Sequence, residues 1–193
     1  MTQEANIEGL ARRLSEPPLS VAFAPGLSNT EVRAAEDRFG FHFPPDLRRF
    51  LQSALPTGER FPNWRDLDSA ALRRQLEGPI DGCLFDVRKN VFWMESWGAR
   101  PSTADEAAVQ AAVHLNSAPK LIPIYSHRYM CEVPTGEGNP ILSVSQTDII
   151  YYGLDLADYL WREFFSTPAE RCVGISGADV PFWSEVMTVA GTP

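Results

Sequence analysis

The stretch that decides the fold lies between residues 121 and 151. Leu121-Ile122-Pro123-Ile124-Tyr125 is an apolar segment of strand length. Tyr129 to Val133, Ile141-Leu142-Ser143-Val144 and Thr147 to Tyr151 follow it at short intervals. Links this short join antiparallel neighbours, because a parallel crossover needs a dozen or more residues. Just upstream, Cys83 to Val87 and Val91 to Met94 flank Arg88-Lys89-Asn90 and read as one more hairpin. The expected fold is therefore α+β, with an antiparallel sheet of about five to six strands and helices packed against it.

Working outward, the helices announce themselves by caps and periodicity. Ile7, Leu10, Ala11 and Leu14 recur at helical spacing before Pro17-Pro18. Ser28 and Glu31 form a capping box, Leu27 and Val32 are placed as a hydrophobic staple, and Gly40 supplies the stop, which predicts a surface helix between them. Pro45 and Asp46 suit the first turn of a helix whose buried face is Leu47, Phe50, Leu51 and Ala54. A long loop through Pro56, Gly58 and Pro62-Asn63 then carries Trp64. A helix over about 68–77 ends at Gly78-Pro79, where proline disfavours continuation. Ser102 or Thr103 caps a helix reaching about Leu115. Asp155 caps another, with Leu156, Tyr159, Leu160 and Phe164 on one face. Pro181 to Met187 has the look of one or two helical turns.

The 193 residues favour one domain. Residues 1–26 read as an N-terminal extension with a short helix, 27–165 as the α+β domain, and 166–193 as a C-terminal extension packed on it. At 44% hydrophobic and 22% charged, the chain has the composition of a packed globule. No apolar run approaches the ~20 residues of a membrane span. The start, Met1-Thr2-Gln3-Glu4, lacks a secretory pattern, so the expected location is the cytoplasm. A net charge of −8 argues against nucleic-acid binding and favours a basic partner if the partner is charged. Cys83, Cys131 and Cys172 form no metal or disulfide pattern and read as reduced thiols.

The phosphate-loop, dinucleotide, nucleophile-elbow and zinc-protease signatures are missing from the sequence, so no catalytic residue, metal or cofactor is assigned. The chemistry-bearing residues that remain are aromatic and acidic. Trp64 and Trp97 sit in loops beside Asp66, Asp68 and Glu95. Tryptophan offers large contact area at low entropic cost, so these five are the candidate partner-binding surface. Tyr125, His127 and Asp148 are candidates for a small pocket, provided the fold brings them together.

Several stretches, taken in order, resemble the SUKH superfamily, which includes fungal Knr-type regulators of cell-wall synthesis and many bacterial immunity proteins. Phe43-Pro44-Pro45-Asp46-Leu47-Arg48-Arg49-Phe50-Leu51 resembles its entry helix. Phe61-Pro62-Asn63-Trp64, Phe92-Trp93-Met94, Trp97-Gly98-Ala99-Arg100-Pro101 and Pro119 to Tyr125 with His127-Arg128-Tyr129 resemble the bacterial branch. So do Asn139-Pro140-Ile141-Leu142-Ser143-Val144 and Gln146-Thr147-Asp148-Ile149-Ile150-Tyr151-Tyr152-Gly153. Where relatives carry Asn-Gly after the entry helix, this chain has Leu55-Pro56-Thr57-Gly58. The resemblance covers about 27–165. It implies an α+β fold, no enzymatic activity, and an immunity protein that binds and neutralises a toxin, such as a nuclease, by occlusion. The alternatives it leaves are a regulator or scaffold in cell-wall synthesis or signalling, and a small-ligand-binding protein or enzyme. The implied partner is a basic protein, with no nucleic acid and no membrane, and the chain itself a monomer or homodimer.

Overall fold

A computed structural model describes residues 3–134, 136–167 and 178–191. Along the chain, α1 (Gln3–Ser15) leads to a short strand β1 (Ala22–Pro25), then α2 (Asn29–Phe39) and α3 (Pro45–Ser53). The capping box of α2 forms as the sequence predicts. Glu31 N–H donates to the Ser28 hydroxyl, Ser28 N–H donates to the Glu31 carboxylate, and Gly40 closes the helix at φ 69°. Strand β2 (Ala54–Thr57) follows α3 directly and pairs antiparallel with β1. Gly26 makes that return possible, because a Cβ there would sit 1.8 Å from the Gln52 carbonyl oxygen.

The largest departure from expectation is α4, which runs unbroken from Ala70 to Lys89. The predicted stop at Gly78-Pro79 and the predicted hairpin over 83–94 are both replaced by helix and by an extended segment that pairs with no strand. Proline costs a helix the hydrogen bond that its N–H would give to the carbonyl four residues back. For Pro79 that acceptor is the Gln75 carbonyl, and the Tyr129 hydroxyl supplies a donor to it at 2.9 Å. The buried positions Leu72, Pro79, Cys83 and Val87 then follow a helical period that the local cluster Cys83 to Val87 conceals.

After a 3-10 turn (Glu95–Trp97), α5 (Ala104–Ser117) is capped by Thr103. Then come β3 (Leu121–Tyr125), β4 (Arg128–Cys131), β5 (Ile141–Ser145) and β6 (Asp148–Gly153), a four-stranded antiparallel sheet in the order β3-β4-β5-β6. The α+β class is as expected, but among the described residues the strands form sheets of two and four, not one of five to six. Asp155 caps α6 (Leu156–Phe165), and α7 (Trp183–Ala190) follows.

Strand alternation gives the four-stranded sheet two buried faces. Ile122, Ile124, Met130 and Ile141 pack into one core with Leu47, Phe50, Trp64, Leu156 and Tyr159. Leu121, Tyr129, Leu142, Val144 and Ile149 pack into a second core with Val87, Trp97, Ala111, Leu115 and Trp183. The sheet therefore lies between a layer holding α1, α2, α3 and α6 and a layer holding α5 and α7. Helix α4 contributes Leu72 to the first core and Cys83 and Val87 to the second.

The N-terminal helix belongs to this packing, with Leu10 and Leu14 in the first core. Cys83 and Cys131 are buried free thiols. Burial, with Asp86 adding to it, pushes the Cys83 thiol up to about 12. Cys172 lies outside the described residues, as do the rest of 168–177 and residues 192–193.

Candidate functional site

Both tight links of the sheet, Ser126-His127 and Gln146-Thr147, are two-residue turns at the same end of the meander. Each begins with a residue at positive φ, Ser126 at 53° and Gln146 at 59°. The Gln146-Thr147 turn meets the C-terminal end of α4, and a groove of about 400 Å³ opens there.

One wall of the groove is the segment leaving α4. Asn90 N–H and Phe92 N–H both donate to the Asp86 carbonyl, which turns the chain sharply. Val91 takes φ 62° in that turn, a conformation costly for a β-branched residue, and is two-thirds exposed at 66%. Trp93 is half-buried, its indole N–H donating to the Gly98 carbonyl at 2.8 Å. Behind it stands Trp97, edge to face at 5.2 Å and 89°, itself stacked on His114.

The opposite wall is the turn from Ser145 to Asp148. Asp86 holds the two walls together. One carboxylate oxygen accepts from Thr147 N–H at 2.9 Å and the Thr147 hydroxyl at 2.6 Å, and the other accepts from the Asn90 side-chain amide. Gly82 allows the close approach, since a Cβ there would come within 2.8 Å of the Gln146 Cα. The end of α7, Val189 and Ala190, completes the lining. A second depression of about 280 Å³, with Ile150 and Met187 in its lining, adjoins the first across Thr147, Asp148 and Ala190.

The residues expected to bind a partner do not form one surface. Trp64 is 1% exposed and sits in the first core against Phe41 and Phe43, with ring centroids at 5.9 and 5.0 Å. Trp97 is buried in the second core, on the other side of the sheet. The physical reason is that each loop folds its indole inward to fill space between elements, and neither ring offers a face to a partner. Asp66, Asp68 and Glu95 are exposed, with Asp68 paired to Arg38 at 3.1 Å.

The three pocket candidates are also divided. Asp148 lines the groove. Tyr125 packs instead against Phe61 and Phe164 at 4.7 and 5.2 Å, where its hydroxyl accepts from Arg60. His127 sits in the neighbouring turn with Nδ1 3.2 Å from the Ser126 hydroxyl. Partial desolvation and then Arg128 lower its pKa, against the opposing pull of Glu163. Arg128 stacks over the Tyr152 ring at 3.7 Å, donates to the Ser143 hydroxyl and pairs with Glu163 at 3.6 Å. Beside this pair the buried Tyr159 hydroxyl is held well above its ordinary pKa, first by desolvation. Such a phenol stays protonated, and the cluster reads as an internal brace between the sheet and α6.

Val91, Gln146 and Val189 are among the groove residues that the sequence did not single out as a site, whereas Trp93 stands among its loop aromatics. One signal was present. Reading Leu72, Leu76, Pro79, Cys83 and Val87 as a single helical stripe places Asn90-Val91 at a helix end rather than inside a strand.

Among the described residues no helix is long and apolar enough to cross a membrane. Comparison with protein-family models gives no match, and searches of curated proteins and of solved structures give none either.

Proposed function

We propose that this chain is a non-enzymatic protein-binding module and that the groove at the end of the sheet is its binding surface. One observation carries the reading. Phe92-Trp93 and Gln146-Thr147-Asp148 belong to two of the stretches on which the SUKH resemblance rests, and they form the two walls of one groove. They are tied across 61 positions of sequence by Asp86 and Thr147. The groove combines features of an interface, the exposed Val91 and the half-buried Trp93 with the Asp148 carboxylate at the rim.

Within that reading the partner is a toxin, such as a nuclease, neutralised by occlusion. The net charge of −8 supports it, because an acidic inhibitor gains association rate on a basic target through electrostatic steering. The test is capture by the tagged chain from lysate of its own organism at low and high salt, with the retained protein identified and assayed. Near one-to-one retention of a basic toxin domain, inhibited on binding, is expected. Retention of a resident envelope or signalling protein instead would overturn the toxin assignment in favour of a regulator.

A further inference from the structure

We propose that the groove receives an arginine side chain of its protein partner. The inference rests on the binding-module reading above and names the chemistry that the same groove selects. Three sources of negative potential meet there. The C-terminal end of α4 reaches it at Asn90, and the C-terminal end of α7 reaches it at Val189 and Ala190. Helix C-termini carry unsatisfied carbonyls and the negative end of the helix dipole, which favours cations. The third source is Asp148, exposed at the start of β6 and shared by the groove and the depression beside it.

The chain's own groups answer the α4 end in part, where Arg100 and two backbone N–H groups cap its last carbonyls, whereas Asp148 makes no ion pair among the described residues. Arg100 donates to the Val87 carbonyl at 3.0 Å, and Arg88 turns toward Asp105 at 3.9 Å. Lys89 is exposed and is not part of the groove lining. Asp86 is spent on Thr147 and Asn90, so Asp148 is the carboxylate on offer.

The remaining wall decides between cations. Trp93 presents a half-buried indole whose N–H is already committed to Gly98. An aromatic ring in the lining whose N–H is already bonded favours guanidinium, through cation–π interaction and planar stacking. Val91 and Val189 supply apolar contact for an aliphatic stem. Carboxylate, indole and apolar wall together match arginine better than lysine, whose compact ammonium is more strongly hydrated.

The probe is Nα-acetyl-arginine amide, titrated at millimolar concentration into the full isotope-labelled chain and followed by NMR. Saturable shifts confined to residues 90–93, 145–148 and 189–191 are expected. Binding should be about tenfold weaker for the citrulline analogue, which removes the charge. Asp148→Asn should weaken it by a similar factor, about tenfold, and Asp66→Asn should leave it unchanged. Trp93→Leu should weaken it as well, provided thermal unfolding shows the fold intact, and Asp148→Asn decides the matter without it.

Equal affinity for citrulline, shifts centred elsewhere, or full binding by Asp148→Asn would overturn the proposal. Equal affinity for the capped lysine would overturn the assignment to arginine. Tighter binding of free arginine than of the capped form would overturn a protein source in favour of a metabolite site. The titration uses no partner, so its failure leaves a captured complex standing, and an empty capture leaves the titration standing.

Discussion

Two loops of this chain each carry a tryptophan beside acidic residues, and the fold uses them in opposite ways. The loop over 61–69 drives Trp64 into the first core, against the rings of Phe39, Phe41 and Phe43. It is tied down from outside, where Arg65 bridges the Glu31 carboxylate at 2.6 Å and the Gly26 carbonyl at 3.0 Å. The segment over 90–98 instead buries Trp97 and leaves Trp93 at the rim, and its anchor is the interior carboxylate of Asp86. A loop tryptophan is thus no indicator of a binding surface. What separates the two cases is whether other aromatic rings stand ready to enclose it.

The largest expected contrast is in stability. Trp64→Ala should cost about 3–5 kcal/mol in urea unfolding, the range for truncating a fully buried aromatic. Trp93→Leu should cost less, about 1–2.5 kcal/mol, because the ring is only half-buried, although its hydrogen bond to Gly98 is lost. Similar losses at both sites would erase the distinction between core plug and groove wall.

A smaller effect should appear at the anchor of the groove. Asp86→Ala removes the acceptor for both Thr147 donors and should cost about 2–4 kcal/mol, since hydrogen bonds to a charged group are stronger than neutral ones. Amide exchange should rise most at Gln146, Thr147 and Asp148. A loss of stability with no change in exchange at that turn would separate Asp86 from the groove.

The smallest effect concerns the outer tie of the 61–69 loop and depends on pH. Hydrogen bonds from Arg65 first, then from Ser28, lower the Glu31 pKa from 4.5 to about 2. A depressed carboxylate contributes stability that is present above its unfolded pKa and is lost as pH falls through the folded value. The melting temperature of the native chain should therefore fall more steeply between about pH 5 and pH 2 than that of Glu31→Gln. Parallel curves for the two would show that the Arg65–Glu31 tie contributes nothing.

Much of this architecture was legible because it is local. The Ser28–Glu31 box, the Thr103 and Asp155 caps and the four strands after residue 120 each depend on residues a few positions apart. The course of α4 was not legible, because the donor that compensates Pro79 comes from Tyr129, 54 positions from the Gln75 carbonyl it serves. The same blindness affected the site. Asp148 was named as a candidate, but its neighbours across the groove follow from where α4 ends. Trp64 was misplaced because the ring of Phe39, Phe41 and Phe43 around it forms only in the folded core.

The central claim is that partners dock at the groove and not on the face carrying Asp66 and Asp68. The most direct test is parallel capture with the native chain, with Asp148→Lys and with the double variant Asp66→Lys, Asp68→Lys, each checked for an unchanged melting temperature. The account predicts that the double variant retains the one-to-one partner at the native level while Asp148→Lys loses it by at least about tenfold. Retention by Asp148→Lys together with loss by the double variant would contradict it.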